Sequence, residues 1–240
     1  GAALIGCGGR GPGTFGGLKK GGLNVVKLGA CDVDMHRARR FGGKDSKVLV
    51  TQDFRRILER KDIDVVAIAT PPHWHALISI MAMEAGKHVL CEKPMTRFIA
   101  EGRAVANAAR RYGRVFQIGT YGRFGASRGK SQQRTHKIVR SGLLKQTDAV
   151  YVHRGGFKVK QWSGRVDLLP QPVPDHLDWD MYCGPSPLKP FVRTRHGGTH
   201  RWYWDYEGGG LGDMGQHKLD PVNWIFGKDA VAQRYEPEPE

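Results

Sequence analysis

A short apolar run, residues 2–5, passes directly into Gly6-Cys-Gly8-Gly-Arg-Gly11, a G-x-G-x-x-G loop. Nothing else in the chain constrains the fold as strongly. Glycine carries an entropic cost wherever its freedom is not needed, so three glycines at this spacing call for a positional reason. A strand-to-helix turn supplies one. Gly6 allows the tight turn, Gly8 lets a pyrophosphate approach the backbone, and Gly11 lets helix and strand pack closely. The helix N-terminus then offers N–H groups and partial positive charge to phosphates. Asp32 closes the second apolar run 21 residues after Gly11, near the separation of about 20 expected of an acid that hydrogen-bonds an adenosine ribose. Its charge would repel a 2′-phosphate, which favours NAD over NADP. Arg37, Arg39 and Arg40 lie close enough in sequence to oppose that preference.

The pattern that follows predicts an α/β fold, a doubly wound parallel sheet over residues 1–120. Residues 2–5, 25–31, 48–50, 64–69, 88–91 and 115–118 are short apolar runs of the kind buried parallel strands show. Helical patterns separate them. Phe54, Ile57 and Leu58 fall at i, i+3, i+4 behind Asp53, a candidate N-cap. Residues 76–85 are apolar nearly all round and stop at Gly86, and residues 99–112 stop at Gly113. From about residue 121 the pattern changes, so a second domain is expected over 121–240. It would hold a helix at 131–141 closed by Gly142, a strand at 149–153, a proline-studded loop at 169–190 that needs a scaffold, and a last strong element at 208–225. The acidic, proline-broken residues 236–240 are expected to be solvated.

Charge excludes less than it first suggests. Lys and Arg number 38 against 23 Asp and Glu, a net +15, which raises the question of nucleic acid. The excess is spread over both halves with no basic block and no recognition motif, so no specific nucleic-acid partner is expected. No apolar run approaches the ~20 residues of a membrane span. The four cysteines show no CxxC spacing, against both a disulfide scaffold and a zinc ribbon.

Three further segments carry chemistry. Thr70-Pro-Pro-His-Trp-His75 follows the fourth predicted strand and Cys91-Glu-Lys-Pro94 the fifth. Both lie at carboxyl ends of strands, where open parallel sheets bind ligands. In Gly208-Gly-Gly-Leu-Gly-Asp-Met-Gly-Gln-His217 a helix would set Asp213, His217 and Asp220 on one stripe, and Pro221 would kink or end it. Each has a plainer reading: a strand end with a solvated lysine, a surface ion pair or two metal ligands, and, for His73 and His75, helix-start residues. No third metal ligand has convincing spacing, so no metal is expected.

Together the glycine loop, Ala69-Thr-Pro-Pro-His-Trp-His75, Glu92-Lys-Pro94 and the Asp213-x-x-x-His217 pair resemble the Gfo/Idh/MocA family of NAD(P)-dependent oxidoreductases. The resemblance covers nearly the whole chain. It implies a Rossmann domain followed by an open-sheet α/β domain, here partial, because the family's second domain runs on the order of a hundred residues further than this chain. It implies a sugar, glycoside or polyol substrate, a homo-oligomer for the full-length family, and catalysis by Lys93 and His217 with support from Asp213. The cofactor side would comprise Gly6, Gly8, Gly9, Arg10, Gly11, Asp32, Thr70, Pro71, His75, Glu92 and Lys93. A cis Lys93-Pro94 bond would aim the lysine at the substrate.

Oxidising a hydroxyl requires loss of the O–H proton as hydride leaves carbon. An imidazole such as His217 titrates near neutral pH and can take it, and the Lys93 ammonium can stabilise the developing alkoxide. Sequence leaves open which of the two is the base. Arg123, Trp202 and Tyr203 are the substrate-side candidates in a region dense with aromatics, and packing explains each aromatic equally well. Two other functions stand beside the dehydrogenase. One is glycoside cleavage by transient oxidation, whose practitioners in the family generally lack this lysine. The other is nucleotide binding without turnover. NAD use points to the cytoplasm, and an export signal ahead of Gly1 would point to the periplasm.

Overall fold

The computed structural model describes residues 1–20, 22, 24–120, 128–144 and 168–226. Six parallel strands form one sheet: β1 (Ala2–Ile5), β2 (Lys27–Cys31), β3 (Leu49–Thr51), β4 (Val65–Ile68), β5 (His88–Cys91) and β6 (Phe116–Ile118). Their order is β3-β2-β1-β4-β5-β6, the doubly wound order of a dinucleotide-binding sheet, with its switch point between β1 and β4.

The double layer follows from the side-chain period of two. In β1, Ala3 and Ile5 face a core that holds Ile57, Ile63 and Ile78. Ala2 and Leu4 face the opposite core, with Phe15 and Leu18. All four β1 residues are buried, so the strand reads as an unbroken apolar run rather than an alternating one. Gly29 in β2 is required by crowding, since a Cβ there would lie 2.7 Å from Ile57 Cδ1 and 2.8 Å from Ala3 Cβ.

The helices of this part are α1 (Gly11–Lys20), α2 (Met35–Gly42), α3 (Phe54–Glu59), α4 (His75–Glu84) and α5 (Ile99–Tyr112). Asp53 caps α3 by accepting from the Arg55 N–H, as its position predicts. Gly113 closes α5 in the left-handed region at φ +60°.

Two compact units form. The first combines Gly1–Gly119 with the described residues 168–213, although the sequence pattern assigns the latter to a second domain. The proline-studded loop finds its scaffold here. The Met35 N–H donates to the His176 carbonyl and the Asp178 N–H to the Val33 carbonyl, both at 2.9 Å. Within the loop lies α6 (Trp179–Cys183), capped by Asp178, whose side chain accepts from the Met181 N–H. Trp179, Tyr182, Phe191, Tyr203 and Tyr206 make its aromatic core.

In the second unit α7 (Arg128–Arg140) packs against α8 (Gln216–Phe226), with His136 stacked on Trp224 at 4.6 Å. The helix expected at 131–141 begins three residues earlier, and Gly142 has φ +76°. The strand expected at 149–153 and the tail at 236–240 lie outside the described residues. Among the described residues no helix is long and apolar enough to cross a membrane.

Two expectations for residues 208–225 need correction. Asp213 does not share an α-helix with His217, because Leu211–Gly215 is a π turn and α8 starts only at Gln216. A run of glycines lacks the side-chain constraints that hold a regular α register. Of the two outcomes expected at Pro221, an end to the helix is excluded, since the helix continues to Phe226. Packing of α8 on α7, with Ile225 buried, outweighs one lost backbone bond.

Candidate functional site

A cleft of about 590 Å³ opens in the first unit at the carboxyl ends of β1, β2, β4 and β5. Its floor is the glycine loop. Gly6 has φ +90°, and a Cβ there would lie 2.6 Å from the Ala69 carbonyl carbon. A Cβ on Gly11 would lie 2.0 Å from the Gly6 carbonyl oxygen, whereas one on Gly9 would meet nothing within 4 Å. Gly6 and Gly11 thus serve the backbone's own packing, and Gly9 leaves room over the start of α1. Gly8 lies under Arg37, whose guanidinium would be 3.2 Å from its Cβ.

Asp32 is buried at the end of β2 and lines the same cleft. Its Oδ2 accepts from the Cys7 N–H at 2.7 Å and its Oδ1 from the Asp34 N–H at 2.9 Å. Burial pushes its carboxyl above the usual range, and the backbone donors and Arg37 offset only part of that. Each carboxylate oxygen has a second acceptor direction, so the bonds that orient Asp32 leave capacity for ribose hydroxyls.

After β4, Thr70 and Pro71 line the cleft, and Thr70 Oγ1 is buried without a hydrogen-bond partner. The two histidines that follow hold loops together and do not line the cleft. His73 Nε2 donates to the Tyr182 carbonyl at 2.8 Å, and the neighbouring Trp74 Nε1 donates to the Met181 carbonyl at 2.9 Å. His75 is buried with Nδ1 2.7 Å from the Pro94 carbonyl oxygen and Nε2 2.9 Å from that of Thr70. Burial pulls His73 down to about 3 and His196, on the cleft wall, to about 4, and it lowers His75 as well.

This has a consequence for stability. The unfolded chain protonates His73 and His196 near 6.5 while the native state keeps them neutral, so the unfolded state binds more protons from pH 6.5 down to about 3 for His73 and about 4 for His196. Stability is expected to fall on acidification through that window by about 1 kcal/mol per pH unit per histidine. Denaturant titrations at stepped pH check this: the slope should flatten in His73→Asn, and an unchanged slope would remove His73 from the account.

At the end of β5, Glu92 is buried and accepts from Thr14 Oγ1 of α1 and from Arg10 Nε at 3.2 Å. It joins the glycine-loop helix to the residue before Lys93. The Lys93-Pro94 bond is cis. Lys93 Nζ donates to the Asp213 carbonyl oxygen at 2.8 Å and to its Oδ1 at 2.5 Å. Of the three ammonium donors, one remains for a ligand in the cleft. Asp213 Oδ2 accepts from Arg201 Nε at 2.8 Å. Burial would raise the Asp213 carboxyl, but the hydrogen bond and charge of Lys93, with those of Arg201, hold it below the usual range.

The remaining candidates fall in different places. His217 belongs to the second unit, where the Gln216 amide nitrogen lies 3.0 Å from its Nδ1. Tyr203 is buried in the aromatic core, its hydroxyl 2.6 Å from Thr194 Oγ1, and Trp202 packs against the same core. Neither lines the cleft. Arg123 lies outside the described residues. The wall opposite the glycine loop comes instead from His196, Gly197, His200, Arg201 and Glu207, none of which has a spacing that singles it out. Among the described residues, the one group of three possible metal donors is Asp34, His36 and His176. There Asp34 already accepts from two N–H groups and pairs with Arg37, and the two rings are stacked at 4.2 Å. Parallel stacked rings cannot both hold one ion in their planes.

Cofactor fit can be judged from these features. The cleft offers a helix N-terminus with no acidic residue in its first turn, open space over Gly9, an oriented carboxylate at Asp32 and an orphaned hydroxyl at Thr70. The helix N-terminus, the open backbone and the acid are what a dinucleotide site uses, and Thr70 offers a further hydrogen-bonding group.

Comparison with known proteins agrees with this geometry. Residues 1–120 match the model of an oxidoreductase-family NAD-binding Rossmann fold, and residues 129–235 match that family's C-terminal alpha/beta domain. The chain is 30% identical over 205 residues to levoglucosan dehydrogenase of Pseudarthrobacter phenanthrenivorans, covering 84% of this chain and 43% of that protein. It is 31% identical over 180 residues to 4-carboxy-2-hydroxymuconate-6-semialdehyde dehydrogenase of a Sphingobium species, covering 74% and 54%. The chain therefore spans about half the length of these relatives. Among solved structures, an oxidoreductase domain protein from Kribbella flavida superposes with a TM-score of 0.61 at 25% identity, over 95% of this chain and 54% of the other.

Proposed function

The chain belongs to the Gfo/Idh/MocA oxidoreductase family, and on that premise we propose that it is the cofactor-binding and catalytic portion of an NAD-dependent dehydrogenase acting on a sugar, glycoside or polyol hydroxyl. The observation that carries the reading is the meeting of Lys93 with the glycine loop in one cleft, with one ammonium donor unspent.

Gly8, Gly9 and the N-terminus of α1 would hold the pyrophosphate, Asp32 the ribose, and Thr70 and Pro71 the path between. When bound, NAD supplies the acceptor for the substrate's hydride. The residues of the chain handle the proton. Lys93 donates its remaining N–H to the substrate oxygen and stabilises alkoxide character there. We assign the hydroxyl proton to an imidazole base, for which His217 is the candidate. Asp213 holds the ammonium in place. Asp32 favours NAD because a 2′-phosphate would bring negative charge against a buried carboxylate. The dehydrogenase names of the relatives support the reaction class.

Calorimetry with NAD and NADP, followed by nicotinamide absorbance over a panel of sugars, anhydrosugars and polyols, tests this. We expect tighter binding of NAD and substrate-dependent reduction. Binding of neither dinucleotide would refute the cofactor assignment, and binding without reduction over the panel would leave a nucleotide-binding protein in its place.

A further inference from the structure

We propose that Arg201 is a positioning residue of the dehydrogenase reaction: by gripping one oxygen of Asp213 it fixes the other against Lys93 and so aims the ammonium's remaining donor into the cleft. This rests on the dehydrogenase reading above.

The geometry is a three-member chain. Lys93 Nζ meets Oδ1 of Asp213 and Arg201 Nε meets Oδ2 at 2.8 Å, so one carboxylate is shared by two cations. The carboxylate side chain is 2% exposed and that of Arg201 38%. Arg201 is itself tethered, since its Nη1 donates to the Gly198 carbonyl within the turn Gly197–Trp202. A carboxylate held by Lys93 alone could rotate about its last torsion, which is broad. Held at both oxygens, it has one orientation.

Electrostatics point the same way. An exposed ion pair contributes little, but here the shared carboxylate is buried, and the trio carries one surplus positive charge beside the place where alkoxide charge would develop. The charged groups that face Asp213 are Lys93 from the end of β5 and Arg201 from the 197–202 turn. The nearby acids are engaged elsewhere. Glu92 is taken by Thr14 and Arg10, and Glu207 by the Gly208 N–H, with His200 Nε2 3.8 Å away. Removal of Arg201 therefore leaves burial opposed by Lys93 alone, and the Asp213 carboxyl should titrate at higher pH.

The test compares Arg201→Ala and Arg201→Lys with the unaltered protein, with Arg201→Gln taking the place of the alanine variant if that fails to fold. We expect kcat to fall about 10- to 100-fold in Arg201→Ala with NAD affinity unchanged within about twofold. Arg201→Lys should recover part of the loss. Carboxyl-carbon NMR should show the Asp213 titration moving up in the alanine variant. An unmoved Asp213 titration would overturn the proposal even if kcat fell, since a merely structural loss does not move it. If the unaltered protein fails to reduce NAD with every substrate of the panel, the dehydrogenase reading fails, while the Asp213 titration still decides whether Arg201 sets that carboxylate.

Discussion

Lys93→Ala is expected to lower kcat about a thousandfold while NAD affinity stays within a few-fold of the original. The size follows from what the side chain does. Two of its three donors are spent on Asp213 and the third is left for the cleft that Lys93 lines, so on the proposed reading truncation removes both the stabilising bond to the substrate oxygen and the charge behind it. The fold should survive, because Arg201 still neutralises the buried Asp213 and Glu92 still ties β5 to α1 through Thr14 and Arg10. Single-turnover nicotinamide absorbance at saturating NAD separates this from a binding defect. His217→Ala measured alongside completes the assignment: if it abolishes the pH-dependence of turnover near neutrality, the imidazole is the base. A Lys93→Ala protein that turns over at the original rate would remove the lysine from the mechanism.

Gly11→Ala should cost about 3 kcal/mol or more of stability, with loss of NAD binding. A single methyl on a helical residue ordinarily stabilises by reducing unfolded-state freedom. Here it would sit 2.0 Å from the Gly6 carbonyl oxygen, and that backbone cannot retreat, because Gly6 itself lies against Ala69 and Thr70 at the end of β4. Gly9→Ala is the matched control. Its methyl would meet nothing within 4 Å, so stability should stay within about 0.5 kcal/mol while NAD binding weakens through obstruction of the cleft. Urea melts and calorimetry on the pair check both halves. Equal melting of the two variants would contradict the close approach of α1 to the loop.

The sheet was readable from sequence because strands buried on both faces leave short apolar runs, as at residues 2–5 and 88–91, and because Asp53 and Gly113 mark helix ends by local chemistry. Asp32, Glu92 and Lys93 were readable because the ends of parallel strands converge on one edge. Where no period exists, reading stopped. Residues 168–213 show no repeat of 2 or 3.6, so nothing signalled that they pack with the first 119. The π turn at Leu211–Gly215 was invisible because glycines carry no pattern. Arg201 lies 12 residues before Asp213, a separation with no regular meaning, and only the folded turn joins them. Trp202 and Tyr203 show the converse. Aromatic abundance pointed to a segment that lines the cleft through other residues and spends Trp202 and Tyr203 on its own core.

The irregular segment over the sheet's carboxyl edge has a bearing on how such a protein changes over generations. It is pinned by backbone carbonyls at Val33, His176, Met181 and Tyr182, contacts that tolerate many side chains. Its inner surface, from His196 to Glu207, forms a wall of the cleft. The residues proposed to seat the cofactor lie at strand ends, and at Gly6 and Gly11 one methyl is too many. Variation is thereby partitioned: apart from Arg201, the wall can be rewritten one residue at a time to admit a differently shaped molecule, while the close-packed glycine loop beneath it cannot.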